Sequence, residues 1–170
     1  MDTYLAIVSR REVKSYGGRA IPDDVVRRIL DAGRLSGSGG NRQPWTFVVV
    51  ESPEVVEQLA ETVYEPSHVR GAELVVAITV AGKGPTAFDA GRAAQNMLLA
   101  AWNEGVGGSP NGFRDADGGA AVLAVEEGAR PVIVLTFGYP ERPRDPESRS
   151  AEEWSRRAKR KPLDVLVHRL

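Results

Sequence analysis

The chain predicts a layered sandwich of the α/β or α+β class, with helices packed on a sheet. Continuous apolar runs at 46–50, 74–80 and 131–137 have the length and β-branched content of buried strands. Longer stretches between them carry apolar residues at helical spacing. No internal repeat runs through the 170 residues, and 42% apolar content is enough to fill one core. One domain spanning 1–170 is therefore expected, not a bundle, barrel or solenoid.

Thr3 to Arg10 reads as a short helix. The next helix has Pro22 in its first turn and Asp23 and Asp24 near its positive end. Val25, Val26, Ile29, Leu30 and Ala32 give it an apolar face. The Gly- and Ser-rich stretch from Gly33 to Gly40 ends it, and Thr46 to Val50 is the first strand, bounded by Pro44 and Pro53. Pro53 to Tyr64 is helical, Leu74 to Val80 is the second strand, and Gly82 to Pro85 closes it. Phe88 to Glu104 carries Ala90, Ala93, Ala94, Met97, Leu98, Ala101 and Trp102 on a broad stripe, the mark of a central buried helix.

Gly105 to Phe113 holds four glycines and a proline, which reads as irregular chain whose backbone amides approach a ligand. A short helix from Gly118 to Val125 precedes the third strand, Pro131 to Phe137. A charged, proline-containing segment then runs extended and exposed through Pro146, and Glu152 to Lys161 is charged and helical. The tail Leu163 to Val167 alternates apolar and polar residues without a neighbouring strand, so it is expected to pair elsewhere, including on a partner.

Composition removes whole classes of chemistry. Without cysteine there are no disulfides, thiolate metal sites, iron–sulfur clusters or cysteine nucleophiles. Two histidines, His68 and His168, make a zinc site a poor expectation. A formal charge of −1 gives no global basic field for nucleic acid, and the Arg156–Lys161 run has no interleaved aromatics. No stretch approaches the roughly 20 apolar residues of a membrane span, and the start of the chain is no signal peptide, so a soluble cytoplasmic protein is expected. Gly105-Val106-Gly107 follows a helix and has Pro110 at the third glycine position of a dinucleotide fingerprint. Phosphate-loop and nucleophile-elbow spacings are also missing.

Two segments carry positive signals. Arg10, Arg11 and Lys14 follow the first helix, and Arg10 and Lys14 would share a face if that helix continued. Such cations could grip a phosphate, or simply complement a helix C-terminus. Ser36-Gly37-Ser38-Gly39-Gly40-Asn41-Arg42-Gln43-Pro44-Trp45 joins free amides, hydroxyls and two amide side chains directly before a buried strand. This is the most specific stretch of the chain.

Arg10-Arg11-Glu12-Val13-Lys14-Ser15-Tyr16 followed by Ser38-Gly39-Gly40-Asn41-Arg42-Gln43-Pro44-Trp45 resembles the opening of nitroreductase-family flavoproteins. The resemblance continues through Asp89 to Asn96, Gly105 to Phe113, Gly138-Tyr139-Pro140 and Arg160-Lys161-Pro162-Leu163. It implies an α+β fold: a three-layer α/β/α sandwich with a mixed or antiparallel central sheet. It further implies a homodimer, with the segment 141–170 extended and available for exchange with the partner.

The same resemblance implies bound FMN and an NAD(P)H donor. Arg10, Arg11 and Lys14 would meet the FMN phosphate and ribityl chain. Ser38, Gly39, Gly40 and Asn41 would reach flavin held mainly by the other subunit, with Gln43 supporting the loop. The Pro110-Asn111-Gly112 turn would be the segment whose backbone N–H faces flavin N5, and Arg160 and Lys161 would close over the phosphate. The implied reaction is ping-pong hydride transfer from NAD(P)H through flavin to a nitroaromatic, quinone or related small acceptor, with no certain catalytic side chain.

Glu12 departs from this pattern, since relatives commonly carry serine there and a carboxylate facing a phosphate repels it. On the pyrimidine side of the flavin, the expected Asn and Lys are missing, and Glu65, His68 and Arg70 are the residues at hand. A non-catalytic ligand-binding or scaffold protein on the same fold is the alternative that these departures keep open.

Overall fold

A computed structural model describes all 170 residues. Four strands form one antiparallel sheet in the order β1-β2-β4-β3. β1 is Trp45–Val50, β2 Leu74–Ala81, β3 Gly107–Asn111 and β4 Ala129–Gly138. The register pairs Val48 with Ala77, Ala77 with Val134, and Val134 with Asn111, so these residues cross the sheet in one row.

β2 is buried almost throughout and feeds both faces. Leu74, Val76, Ile78 and Val80 enter one apolar cluster, and Val75 and Ala77 enter the other. This is the period-two geometry of a strand with covered faces. The first cluster is closed by α2 (Asp23–Arg34) and α5 (Thr86–Asn103), through Val25, Ile29, Ala90, Met97 and Ala101. The second is closed by α3 (Pro53–Ala60), α4 (Pro66–Arg70) and α6 (Ala116–Val122), through Leu59, Ala60 and Val69, with Val63 and Leu123 joining just past the ends of α3 and α6. The expected α+β three-layer sandwich with helices on both faces of an antiparallel sheet is what the chain forms.

Local chemistry sets several boundaries. Ser52 caps α3 by accepting from the Val55 N–H, and Pro53 opens that helix without losing a bond. The helix expected over Pro53 to Tyr64 stops at Ala60, and α4 begins separately at Pro66, a residue that favours a first turn and disfavours αR at Glu65 before it. Helix α1 (Thr3–Ser9) starts at Asp2, whose carboxylate accepts from the Leu5 N–H.

Two expectations are corrected. Gly105 to Phe113 is not irregular: residues 107–111 form β3, the sheet edge, where Pro110 can lack an N–H without breaking a central ladder. The glycines supply room, because a Cβ on Gly107 would lie 2.5 Å from Val13, and one on Gly108 2.8 Å from Phe137 and 2.9 Å from Leu98. The alternating tail is likewise no strand. Leu163–Leu166 form one helical turn, α8, with Leu163, Val165, Leu166 and Val167 exposed. The charged stretch before it folds as α7 (Ala151–Arg157), begun by a Ser150–Glu153 capping box and anchored by buried Trp154.

Candidate functional site

Helix α1 ends at Ser9, and the chain after it is extended: Arg10 has φ −56° and ψ 132°, and Glu12 makes an isolated parallel bridge with Gly108. Arg10 and Lys14 therefore do not share a helix face. Extended chain sends successive side chains to opposite sides, and the residues sort accordingly. Val13 is buried against Gly107, and its N–H donates to the Gly108 carbonyl at 3.3 Å.

The two arginines have different fates. Arg11 turns back, its Nη1 donating to the carbonyls of Val8 (2.7 Å) and Arg10 (2.8 Å) and its Nη2 to that of Trp154 (3.1 Å). It fastens α1 to α7. Arg10 carries a buried Nη1 with no hydrogen-bond partner at all. Burial lowers the Arg10 pKa first, nearby Glu12 opposes that, and nearby Arg160 adds to it. A guanidinium held half-buried, unsatisfied and next to a second guanidinium is unfavourable unless an anion completes it.

That orphaned nitrogen is the strongest indication of what the site holds. Arg160, expected to close over a phosphate from far along the chain, does stand near both Arg10 and Arg11. Lys14 is exposed beside a cavity of about 270 Å³ lined also by Glu12, Ser15, Pro140, Arg142 and Arg144. Lys161 is exposed, and it follows Lys159, which takes φ +51° to end α7. The donor set suits a doubly charged phosphate, the part of FMN that needs cations from separate segments. Glu12 opposes it by the same rule.

Along the outer edge of β3, the chain between the bridges Glu12–Gly108 and Val63–Phe113 has no strand partner, which leaves Pro110 and Asn111 without a strand neighbour on that side. Asn111 itself is buried, and its side chain is committed to the Glu65 backbone: Oδ1 accepts from the N–H at 3.2 Å and Nδ2 donates to the carbonyl at 2.8 Å. Gly112 accepts from the Tyr64 N–H at 3.1 Å. Asn111 thus clamps the 64–65 turn against β3, a role that its sequence position did not reveal.

Of the residues on hand for the pyrimidine side, Arg70 is engaged elsewhere. Its Nε and Nη2 reach the Glu57 carboxylate at 2.6–2.9 Å and Glu61 as well, which raises its pKa. His68 lies half-buried on α4, and Glu65 is exposed.

The Ser36–Trp45 loop lies at the far end of α2. Gly39–Asn41 form a 3-10 turn, and Gly40, Asn41 and Gln43 have φ of +58°, +56° and +48°. Two non-glycine residues in the left-handed region within three positions are a concentration of strain of the kind found at ligand clamps. The Ser38 hydroxyl accepts from the Gln43 N–H at 2.8 Å, and Gln43 Nε2 donates to the Asn41 carbonyl at 3.3 Å, so Gln43 does support the loop.

Helix α5 holds this loop from below, which sequence reading missed. Asp89, 3% exposed, accepts from the Gly39 N–H at 3.4 Å, and Asn96 donates to the Ser36 hydroxyl at 2.7 Å. These two sit seven residues apart, two helical turns, and the signal lay in Asp89-Ala90-Gly91-Arg92-Ala93-Ala94-Gln95-Asn96: polar residues one face away from an alanine stripe. No group of His, Asp and Glu side chains is arranged to hold a metal.

The chain resembles known proteins over most of its length. The sequence profile described as the Nitroreductase family matches residues 7–83 and 81–139. A protein of Methanothermobacter thermautotrophicus named "Putative NADH dehydrogenase/NAD(P)H nitroreductase" is 29% identical over 169 residues, covering 91% of this chain and 88% of that one. A nitroreductase family protein from Clostridium difficile superposes with a TM-score of 0.82 at 22% identity, over 99% of this chain and 98% of its own. The NADPH:FMN oxidoreductase of Vibrio harveyi, solved with NAD+, gives 0.83 at 22% identity, over 96% of this chain and 75% of its own. With its profile matched across more than half the residues and its fold shared with solved members, this chain belongs to the nitroreductase family.

Proposed function

We propose that this oxidoreductase binds FMN and uses NAD(P)H to reduce nitroaromatic, quinone or related small acceptors in a ping-pong cycle. The observation that carries the reading is the buried, unpartnered Arg10 Nη1 beside Arg160. Bound FMN would supply a carrier that takes hydride from the donor and delivers it to the acceptor.

The chain's own part is to bind and orient. Arg10, with Lys14, Arg160 and Lys161, would hold the phosphate, while Arg11 would serve the site by fixing α1 to α7. In the Pro110-Asn111-Gly112 segment the main-chain N–H groups of Asn111 and Gly112 would face the isoalloxazine, where neutral donors assist without adding charge. Ser38, Gly39, Gly40, Asn41 and Gln43 would complete the site of a second copy in a homodimer. The exposed apolar residues Phe88 on α5, Leu35 after α2 and Leu163 to Val167 in the tail suit such an assembly. No side chain is required as an acid or base, and the pocket would select acceptors weakly.

A second reading rests on Glu12, whose carboxylate partly offsets the charge of Arg10 and would repel a phosphate. On that reading FMN binds weakly and the fold serves as a ligand-binding or scaffold module. One experiment separates them: absorbance of the purified chain with added FMN, before and after anaerobic NAD(P)H. Flavin bands near 370 and 450 nm that co-purify or co-elute and then bleach are the expected result (about these wavelengths for any oxidised flavin). A chain that neither retains FMN nor bleaches it overturns the enzymatic reading.

A further inference from the structure

A second cationic cavity lies apart from the Arg10 nitrogen. Between the end of α1 and the 143–157 segment is a hollow of about 410 Å³ whose lining includes Arg11, Arg144, Asp145, Arg149, Trp154 and Arg157. Arg10, Lys14, Arg160 and Lys161 do not line it, and Arg144 forms the wall it shares with the Lys14 cavity. It is built on the other side of the extended chain, where Arg11 points.

We infer that this hollow is an anion site for a phosphate group of a small metabolite, separate from the one that would hold FMN. Four guanidiniums line it against a single carboxylate, and none of the four belongs to an ion pair of the molecule. That carboxylate, Asp145, is aimed at the Glu147 N–H, from which its Oδ1 accepts at 2.9 Å, and its single negative charge leaves three positive charges uncompensated. Like charges gathered without counter-ions repel one another, and the repulsion is relieved when an anion enters.

The walls hold the cations in place. Trp154, 7% exposed, donates its indole N–H to the Pro146 carbonyl at 2.8 Å. Arg11 and Arg149 stand over its ring, 5.5 Å and 4.9 Å from the centroid. A buried ring fixed by its own hydrogen bond positions the Arg149 fork for recognition of a tetrahedral oxyanion, while Arg11, its Nη1 and Nη2 held by the Val8, Arg10 and Trp154 carbonyls, adds charge to the wall. The remaining cations, Arg144 and Arg157, are exposed and complete the rim. A doubly charged phosphate offsets more of this charge than a carboxylate does, and a hollow of this size admits more than the phosphate alone. The group arrives either as free inorganic phosphate or on a nucleotide.

The test uses the purified chain with saturating FMN, titrated calorimetrically with inorganic phosphate, AMP and adenosine, and with potassium chloride at matched ionic strength. Phosphate and AMP are expected to bind, adenosine and chloride not. AMP tighter than phosphate by tenfold or more assigns a nucleotide source, and equal affinities assign phosphate alone. Arg149→Ala combined with Arg157→Ala is expected to weaken binding about 100-fold, some tenfold for each charge-assisted pair removed, while FMN retention stays unchanged and reports that the variant folds. Three results overturn the site: no heat beyond the chloride control, full binding by the double variant, or binding seen only without FMN, which would make the hollow part of the FMN phosphate cradle. Because phosphate binding is read without turnover, a failure here leaves the oxidoreductase reading standing, and the reverse holds.

Discussion

Two glycine-rich segments, Ser36–Trp45 and Gly105–Phe113, look alike as strings and differ as structures. In the first, glycine answers a backbone demand: Gly40 has φ +58° with open space where a Cβ would sit. In the second, Gly107 and Gly108 belong to a strand, and a Cβ on either would collide with Val13, Phe137 or Leu98. One loop stores strain at the surface, and the other is an edge strand wedged between the Arg10–Tyr16 segment and β4. A missing Cβ thus permits either an unusual φ or a close approach, and composition does not say which.

Substitution separates the two uses. Gly108→Ala is expected to cost about 2–3 kcal/mol, since the new Cβ meets Phe137, Leu98 and the Thr136 carbonyl, which is backbone and cannot step aside. Gly40→Ala, with nothing in its way, is expected to cost only about 1 kcal/mol, the penalty of a left-handed alanine. Urea unfolding of the two variants compares them directly. Equal losses would erase the distinction.

Arg10→Ala tests the segment wedged beside β3. FMN affinity is expected to fall about 100-fold by absorbance titration, as charge-assisted bonds to the phosphate disappear. The thermal midpoint is expected to hold or rise, because the variant removes a buried, unsatisfied nitrogen. A falling midpoint with intact FMN binding would make Arg10 structural.

Tyr16 ties the same segment to β4, its hydroxyl lying 2.8 Å from the Val13 carbonyl and 3.0 Å from Thr136 Oγ1. Burial pushes its pKa up to about 12, with the Thr136 hydrogen bond pulling the other way. The folded chain thus holds the phenol proton after the unfolded chain has lost it near pH 10. Stability is complete below pH 10 and falls by about 2 kcal/mol as the pH climbs to 12. Tyr16→Phe is expected to flatten that alkaline loss, and a slope unchanged in pH-dependent denaturation would place the titration elsewhere.

The smallest effect expected to favour binding is Glu12→Ser. It removes the carboxylate beside Arg10 and is expected to tighten FMN about tenfold, with the gain shrinking as salt rises. His68→Ala, on half-buried α4, is expected to leave FMN affinity and turnover within twofold.

Legibility followed the range of the forces involved. Strands β1, β2 and β4 and helices α2 and α5 were plain in the sequence, because apolar periodicity is a local record of which side meets the core. Strand β3 was hidden, since two glycines and a proline carry no apolar signal and its pairing partners lie some thirty residues downstream (Gly107 with Gly138). Among candidate residues, Arg10 stood out by its clustering with Arg11 and Lys14, Arg160 by resemblance, and the two are close in space, whereas Arg11 and Asn111 have side chains committed to backbone groups of α1, α7 and the 64–65 turn. Asp89 and Asn96 went unread as supports of the Ser36–Trp45 loop, because a polar residue on a helix says nothing of what stands opposite.

The sequence by itself determined the layering, the order of most elements, the absence of cysteine chemistry and the two segments that carry the site. These depend on residue type and spacing, which short-range sterics and burial translate directly into helix or strand. Tertiary structure alone decided which cation stays free and which is tied down, and whether a glycine serves space or torsion. It also decided that the tail begins with a helical turn, α8. Those outcomes depend on groups distant in sequence meeting at hydrogen-bond range, where one carbonyl, such as that of Trp154, is enough to take an arginine away from the site.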